Sequence, residues 1–378
     1  MRGRRRPAAP GRAGTRRPLR APRRNRPERG LVVADAPLLD VDDLHVDFRV
    51  RRGLFGAASY TVHAVAGVTF RIERGETLGI VGESGSGKST LGRALLRLVD
   101  ATRGSIRLEG QEVREFKGRM LDFRRDLQVI FQDPQASLNP SMVVADIVGE
   151  PLTIHFGLRG RERDARVAQV LERVGLATYH LERYPSEFSG GQRQRIAVAR
   201  ALALEPRLIV CDEPVSALDV STQSQAINLL EELQESFGIA YLFIAHDLAV
   251  VRHISHRVGV MYLGRIVELG PVERVHDRPA HPYTQMLLAA APVTDVATQR
   301  QRKAIRRQLP ATELPSPIDP PSGCPFHTRC THAMDVCRRE MPEASPIDGG
   351  GWVACHLQSA GPRLAGAPLD TMGDSAAL

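Results

Sequence analysis

Gly82-Glu83-Ser84-Gly85-Ser86-Gly87-Lys88-Ser89-Thr90 lies between a short apolar run, Thr77-Leu78-Gly79-Ile80-Val81, and a stretch of helical periodicity, LGRALLRLV at 91–99. Its spacing is that of a phosphate-binding loop, G-x-x-x-x-G-K-S/T, placed where the chemistry requires it, after a buried strand and before a helix. Glycines at 82, 85 and 87 let successive backbone N–H groups converge on the β-phosphate oxygens of ATP with no side chain in the way. In that arrangement Lys88 bridges the β- and γ-phosphates, the Ser89 hydroxyl meets Mg²⁺, and Thr90 lies near the α-phosphate.

A second apolar run, LIVCDE at 208–213, ends in adjacent carboxylates. Such a strand end buries one carboxylate near the metal and aims the next at the γ-phosphate. Asp212 is therefore expected to hold Mg²⁺, largely through water, and Glu213 to polarise the attacking water. Further strands are read at 38–50, 63–72, 105–110, 127–132 and 240–247, and helices at 161–176, 193–204 and 225–238. Strands alternating with helices predict an α/β ATPase core, interrupted by a helical insert at about 137–190.

Phe188-Ser189-Gly190-Gly191-Gln192 resembles the signature sequence of ATP-binding-cassette (ABC) proteins. The resemblance implies a phosphate-loop nucleotide-binding domain with a RecA-like core, an antiparallel β subdomain and a helical subdomain. It also implies that Ser189, Gly190, Gly191 and Gln192 serve a partner's γ-phosphate, two cassettes enclosing two nucleotides head to tail. A helix N-terminus carrying a hydroxyl and free N–H groups suits that task. Gln132 resembles the family's switch between Mg²⁺, water and the transport subunit. Ser216-Ala217-Leu218-Asp219 resembles the loop linking the two sites, and His246 the histidine that contacts the γ-phosphate. For the aromatic that stacks on adenine, Phe55 and Tyr60 compete, with Tyr60 favoured.

The insert is too short for the coiled coil of chromosome and repair ATPases, and one cassette is present rather than the two of translation-linked types. With no fused membrane domain, the pattern is that of a detached importer ATPase. FQDPQASLNPSM at 131–142, CDEPVSALDVSTQSQAINLL at 211–230, HPYTQMLLAA at 281–290 and GCPFHTRC at 323–330 resemble ATP-binding subunits of dipeptide, oligopeptide and nickel importers. The resemblance implies ATP-driven peptide import, with nickel or another small solute as the alternative cargo and a nucleic-acid- or ribosome-associated ATPase as the remote one. It implies as partners a second, similar but distinct ATPase subunit, two membrane permease subunits and, indirectly, an extracytoplasmic substrate-binding protein. The expected place is the cytoplasmic face of the inner membrane, as a peripheral subunit.

The expected divisions are an Arg/Pro-rich disordered leader at 1–34, the ATPase domain at 35–270, a C-terminal extension with a cysteine cluster at 271–357, and a flexible tail at 358–378. The formal charge of +8 is misleading, because residues 1–30 hold twelve Arg against the single acid Glu28. The rest of the chain is weakly acidic, and no nucleic-acid partner is expected. The longest apolar candidate for a membrane span, Met286–Val293, is far too short.

Four of the five cysteines, Cys324, Cys330, Cys337 and Cys355, crowd a loop-rich segment behind a proline-rich connector at 310–325. Four soft ligands there would let a metal replace a missing hydrophobic core. Their spacing alone leaves an Fe–S cluster, zinc, or reduced cysteines without metal. The importer resemblance implies a [4Fe–4S] cluster on these four. Cys211, inside the carboxylate strand, is read as a small buried hydrophobe.

Overall fold

Eight strands form one sheet whose middle member is the run that precedes the phosphate loop. The computed structural model describes residues 36–52, 58–118, 120–290 and 314–359, and all of these after Ala36 belong to one unit. The expectations for residues 1–34 and Phe55, and nearly all of the tail, lie outside the described residues.

In chain order the strands are β1 (Leu39–Arg52), β2 (Ala58–Ile72), β3 (Thr77–Val81), β4 (Arg103–Leu108), β5 (Gln111–Glu112), β6 (Leu127–Ile130), β7 (Leu208–Asp212), β8 (Ala240–Ala245), β9 (Arg257–Tyr262), β10 (Arg265–Pro271), β11 (Ala344–Pro346) and β12 (Trp352–Ala354). The helices are α1 (Lys88–Leu95), α2 (Met120–Asp126), α3 (Pro134–Ser137), α4 (Val144–Phe156), α5 (Gly160–Arg173), α6 (Gly190–Leu202), α7 (Val220–Phe237), α8 (Leu248–Ile254), α9 (Val272–Asp277), α10 (Pro282–Ala290), α11 (Asp335–Arg339) and α12 (His356–Ser359).

The large sheet runs β11-β12-β10-β9-β3-β8-β7-β6. From β9 to β6 neighbouring strands are parallel, and β10, β12 and β11 are added antiparallel at one edge. Parallel strands covered on both faces read as continuous apolar runs, which is why β3, β7 and β8 are buried at every residue. Alternate side chains enter two different cores. Leu208, Val210, Leu242 and Ile244 pack with Val41, Phe70 and Leu91 under the antiparallel sheet β2-β1-β4-β5. Ile209, Cys211, Tyr241 and Phe243 pack with Ile147, Val170 and Ile196 from the helices inserted between β6 and β7. Both subdomains thus lean on one sheet.

Several elements differ from their sequence reading for local reasons. α7 begins at Val220 because Asp219 caps it, its carboxylate accepting from the Thr222 N–H at 3.0 Å. β6 closes at Ile130, so Gln132 stands beyond the strand in the turn toward α3. β9 and β10 are a hairpin that the sequence reading lacks. Its two turn residues, Leu263 and Gly264, both take positive φ, 43° and 78°. A leucine in a position that favours asparagine or glycine hides the usual hairpin signal.

The C-terminal extension is woven into this sheet. β12 pairs with β10 through Glu268↔Val353 and Leu269↔Trp352. Glu268 itself is wholly buried. Its carboxylate is paired with Arg274 and accepts from the N–H groups of Ala280 and His281 (2.9 and 3.0 Å) and from Thr284 Oγ1 (2.6 Å). A buried charge is tolerated only when so many donors converge on it, and removing it strands them. Glu268→Ala should therefore cost about 3–5 kcal/mol. A large fall in thermal unfolding midpoint would check it, and a midpoint within a degree or two of the native chain would refute it.

Candidate active site

Four of the five parallel strands, β3, β6, β7 and β8, run into residues the sequence reading singled out, whereas β9 runs into Leu263, which it did not. Gly82 follows β3, Gln132 lies just beyond β6, Asp212 and Glu213 end β7, and His246 follows β8. The carboxyl edge of an open α/β sheet is where such folds bind ligands. Topology here brings together residues that lie up to 164 positions apart in the chain.

The loop from Gly82 to Gly87 turns tightly from β3 into α1. Gly87 has φ 104°, and a Cβ there would stand 2.2 Å from the Ala64 carbonyl oxygen, so only glycine fits. The loop is held from behind: Gly264 donates its N–H to the Ser86 carbonyl at 2.8 Å. Lys88 is buried, and its Nζ donates to the carbonyls of Gly82 (2.7 Å) and Glu83 (3.0 Å), stretched across the loop. Burial holds its pKa below the usual lysine value, opposed by the carboxylates of Glu213, Asp212 and Glu83. Ser89 Oγ donates to Asp212 Oδ1 at 2.8 Å, which joins the two hard oxygen ligands expected for Mg²⁺. Burial raises the Asp212 pKa, with the Ser89 hydrogen bond opposing it.

Glu213 Oε2 receives a hydrogen bond from Gln132 Nε2 at 3.2 Å and lies 3.3 Å from His246 Nδ1. Glu213 has φ 48°, an uncommon conformation for a residue with a side chain, held by its N–H donating to the Ile244 carbonyl at 2.9 Å. Together with Ser84, Gly85, Gly87, Lys88, Ser89 and Thr90, this trio lines a cleft of ≈ 450 Å³.

Not every expected residue is in the cleft. Tyr60 is an exposed residue of β2 and does not line it, whereas Val62, His63 and Ala64 of the same strand do. Ser189 caps α6: its hydroxyl accepts from the Gln192 N–H (3.3 Å), and Gln192 Oε1 accepts from the Ser189 N–H (3.0 Å). Ser189 and Gly190 are exposed and Gly191 is half-buried, and this helix start lies outside the cleft beside Leu218 and Thr222. Ser216 Oγ donates to the Glu213 carbonyl at 3.0 Å, tying the 216–219 loop to the carboxylate strand. Six residues of the cleft escape sequence reading: Val62, His63, Ala64, Leu263, Gly264 and Pro317. The β9–β10 hairpin would have pointed to Leu263. His63 and Pro317 carry no motif.

The family-model comparison matches residues 65–216 to "ABC transporter" and residues 267–337 to "Oligopeptide/dipeptide transporter, C-terminal region". The chain is 51% identical over 326 residues to the oligopeptide transport ATP-binding protein AppF of Bacillus subtilis, covering 85% of this chain and 98% of that one. This chain belongs to the ABC transporter family. Similar too are the oligopeptide transport ATP-binding protein OppF of Salmonella typhimurium, 52% identical over 81% of this chain and 92% of that protein, and the di/tripeptide transport ATP-binding protein DppF of Pseudomonas aeruginosa, 48% identical over 84% and 97%. Among solved structures, the cassette MJ0796 in a dimeric state bound to ADP and Pi matches with TM-score 0.55 at 27% identity, over 62% of this chain and 98% of that one. The cassette fold with its mixed α/β sheets, and an ATPase activity that powers transport, follow from that membership.

The four C-terminal cysteines of this ABC protein line a single small void together with His281, Phe326 and His356. Burial pushes the Cys324 and Cys330 thiols up to about 11 and Cys355 to about 12, the other cysteines adding to it. Yet among the described residues no group of three or more His, Cys, Asp or Glu stands as a set that could hold a metal ion. The expected Fe–S module therefore has its donors around one void but not gathered. Among the described residues no helix is long and apolar enough to cross a membrane.

Gly87→Ala tests the loop directly. The added methyl must displace the Ala64 carbonyl or unwind a left-handed residue, so ATP affinity should fall at least about tenfold, since Cα-level displacement misaims the N–H donors. Titration with Mg-ATP checks this, alongside far-UV circular dichroism to show that the fold persists. Native affinity would contradict the geometry.

Proposed function

We propose that this chain hydrolyses ATP to drive import of dipeptides or oligopeptides, working at the cytoplasmic face of the inner membrane. The observation that carries the chemistry is the convergence of Gln132, Glu213 and His246 beside a glycine loop. The peptide cargo is supported by relatives whose names state oligopeptide or di/tripeptide transport, and by the match of the C-terminal region. Two permease subunits, a second and similar ATPase subunit, and an extracytoplasmic binding protein complete the proposed assembly.

The roles follow from placement. Loop N–H groups between Gly82 and Thr90, other than that of Glu83, which Tyr283 holds, cradle the phosphates, and Lys88 swings from the loop carbonyls to the β- and γ-oxygens. Ser89, Asp212 and Gln132 would hold Mg²⁺, which when bound neutralises charge across the β- and γ-phosphates. Glu213 accepts the proton of the attacking water, and His246 contacts the γ-phosphate. Ser189, Gly190, Gly191 and Gln192 act on a partner's nucleotide, since their helix N-terminus lies exposed and outside their own cleft. The loop Ser216-Ala217-Leu218-Asp219 relays between the two sites. Tyr60 stacks on adenine, its strand lining the cleft two residues further on. The division into an ATPase domain at 35–270 and an extension at 271–357 belongs to the same proposal.

We extend the proposal to Cys324, Cys330, Cys337 and Cys355 as ligands of a [4Fe–4S] cluster. Its support is four soft donors around one void, and a buried His281 whose Nε2 has no partner among the described residues. Tyr283 donates its N–H to His281 Nδ1 at 3.0 Å, so Nε2 carries the proton and is a donor suited to a thiolate or sulfide. When bound, such a cluster would cross-link the segment through these four cysteines.

Glu213→Gln in the reconstituted complex should keep Mg-ATP binding, lower turnover about a hundredfold or more and trap an ATP-bound dimer. Unchanged turnover would remove Glu213 as the base. Adding Ser189→Arg should abolish that dimer while leaving a folded monomer, and a persisting dimer by size measurement would end the trans-acting reading. Anaerobic purification should give about four iron atoms per chain. Stoichiometric zinc, or neither metal, would overturn the cluster. In metal-free protein at pH 8, raised thiol pKa values mean fewer thiolates, so alkylation of Cys324 and Cys330 should run about a hundredfold slower than that of a free thiol.

A further inference from the structure

Glu83, the second residue of the phosphate loop, is fixed at three points by residues remote from it or from the loop's own lysine. Its N–H donates to Tyr283 Oη at 2.9 Å, and its carbonyl accepts from Lys88 Nζ at 3.0 Å. Its carboxylate is met by both terminal nitrogens of Arg329, at 2.7 and 3.0 Å. Arg329 is only 8% exposed and lies against the rings of Tyr262 and Phe326, its guanidinium carbon 5.9 and 6.0 Å from their centroids. It sits between Cys324 and Cys330, its N–H donating to the Phe326 carbonyl at 3.0 Å. Tyr262, Tyr283 and Phe326 pack on one another beneath it.

A carboxylate at this place in a phosphate loop is a liability. The loop exists to present positive dipoles and one ammonium to a polyanion, and Glu83 acts electrostatically on that ammonium. Paired in two-point fashion with a planar guanidinium, the carboxylate carries no net charge toward the cleft, and Glu83 is not among the residues that line it. Freed, it would repel phosphate and compete for Lys88. A surface ion pair would matter little, but this one is bidentate, with Arg329 buried and Glu83 half-buried.

We propose that Arg329 is a positioning residue for nucleotide binding: by neutralising and anchoring Glu83 it makes the Cys324–Cys337 segment part of the ATP site, so ATP affinity depends on that segment being folded. The inference rests on the reading of residues 82–90 as the ATP site.

The test is Mg-ATP titration and steady-state hydrolysis with the full chain. Arg329→Gln should weaken ATP binding about tenfold, the loss falling on KM rather than kcat, because an unpaired carboxylate is left facing phosphate. Adding Glu83→Gln to Arg329→Gln should recover about threefold or more of that affinity, since the charge to be neutralised is gone. Arg329→Lys, whose single ammonium cannot span both oxygens, should fall between the native chain and Arg329→Gln. Should Arg329→Gln not fold, Arg329→Lys carries the comparison alone, and native affinity in it overturns the proposal. An unchanged dissociation constant in Arg329→Gln, or a double variant as weak as the single, overturns it too, the latter leaving a mere structural strap. Lys88→Ala separates the two readings. If it binds ATP normally, the site assignment fails; if it loses ATP while Arg329→Gln does not, only the present inference fails.

Discussion

A loop that binds phosphate through its backbone must keep most of its N–H groups for the ligand, so the loop has to be held by its carbonyls, its side chains and its neighbours. That constraint organises this molecule. Behind the loop, the Ala64 carbonyl presses so closely on Gly87 that no side chain fits, and the hairpin turn at Gly264 donates to the Ser86 carbonyl. Lys88 spans two loop carbonyls, and the Ser89 hydroxyl is tied to Asp212. β2, the β9–β10 hairpin and the end of β7 thus each surrender one contact to a segment that cannot stabilise itself.

The same sheet sets out the two surfaces on which the proposed pairing of cassettes rests. Its parallel strands deliver Gln132, Asp212, Glu213 and His246 to a single carboxyl edge. The capped start of α6 lies outside that cleft, although the 216–219 loop runs from Glu213 toward it, with Leu218 against Gly190. Ser189 and Gln192 satisfy each other's backbone donors, so the helix start is rigid without any ligand. A preorganised, donor-rich helix end with Ser189 and Gly190 exposed, lying outside its own cleft, fits the proposed pairing of two cassettes.

The phosphate loop, the carboxylate strand and the signature were legible because their chemistry demands particular residue types at fixed spacing. Gln132 and His246 were legible only through a resemblance in order along the chain; nothing in their local sequences says that they meet at Glu213. The β9–β10 hairpin was lost to Leu263 occupying a left-handed turn position. Tyr60 was chosen on its aromatic character, and the twist and register of its strand set Val62, His63 and Ala64 along the cleft with Tyr60 two residues before them. Arg329 and Tyr283 lay beyond reach altogether. They act on Glu83 across 246 and 200 residues, and a lone arginine or tyrosine carries no pattern.

Those two residues also bear on how the C-terminal extension is attached. The boundary expected at 270–271 falls within β10, which runs from Arg265 to Pro271. Glu268 on that strand is wholly buried, and the groups that make its charge tolerable, Arg274, the Ala280 and His281 amides and Thr284, all come from the residues that follow. β12 then covers the outer edge of β10, an edge that would otherwise present unpaired backbone groups. A strand whose buried charge and open edge are both satisfied by later sequence cannot be finished without it. The extension thereby reaches the catalytic loop by the shortest physical route, from Glu268 through α10 to Tyr283, whose hydroxyl holds the Glu83 amide. Residues 268–284 thus serve the sheet edge at Glu268 and the phosphate loop at Tyr283 within one short stretch of chain.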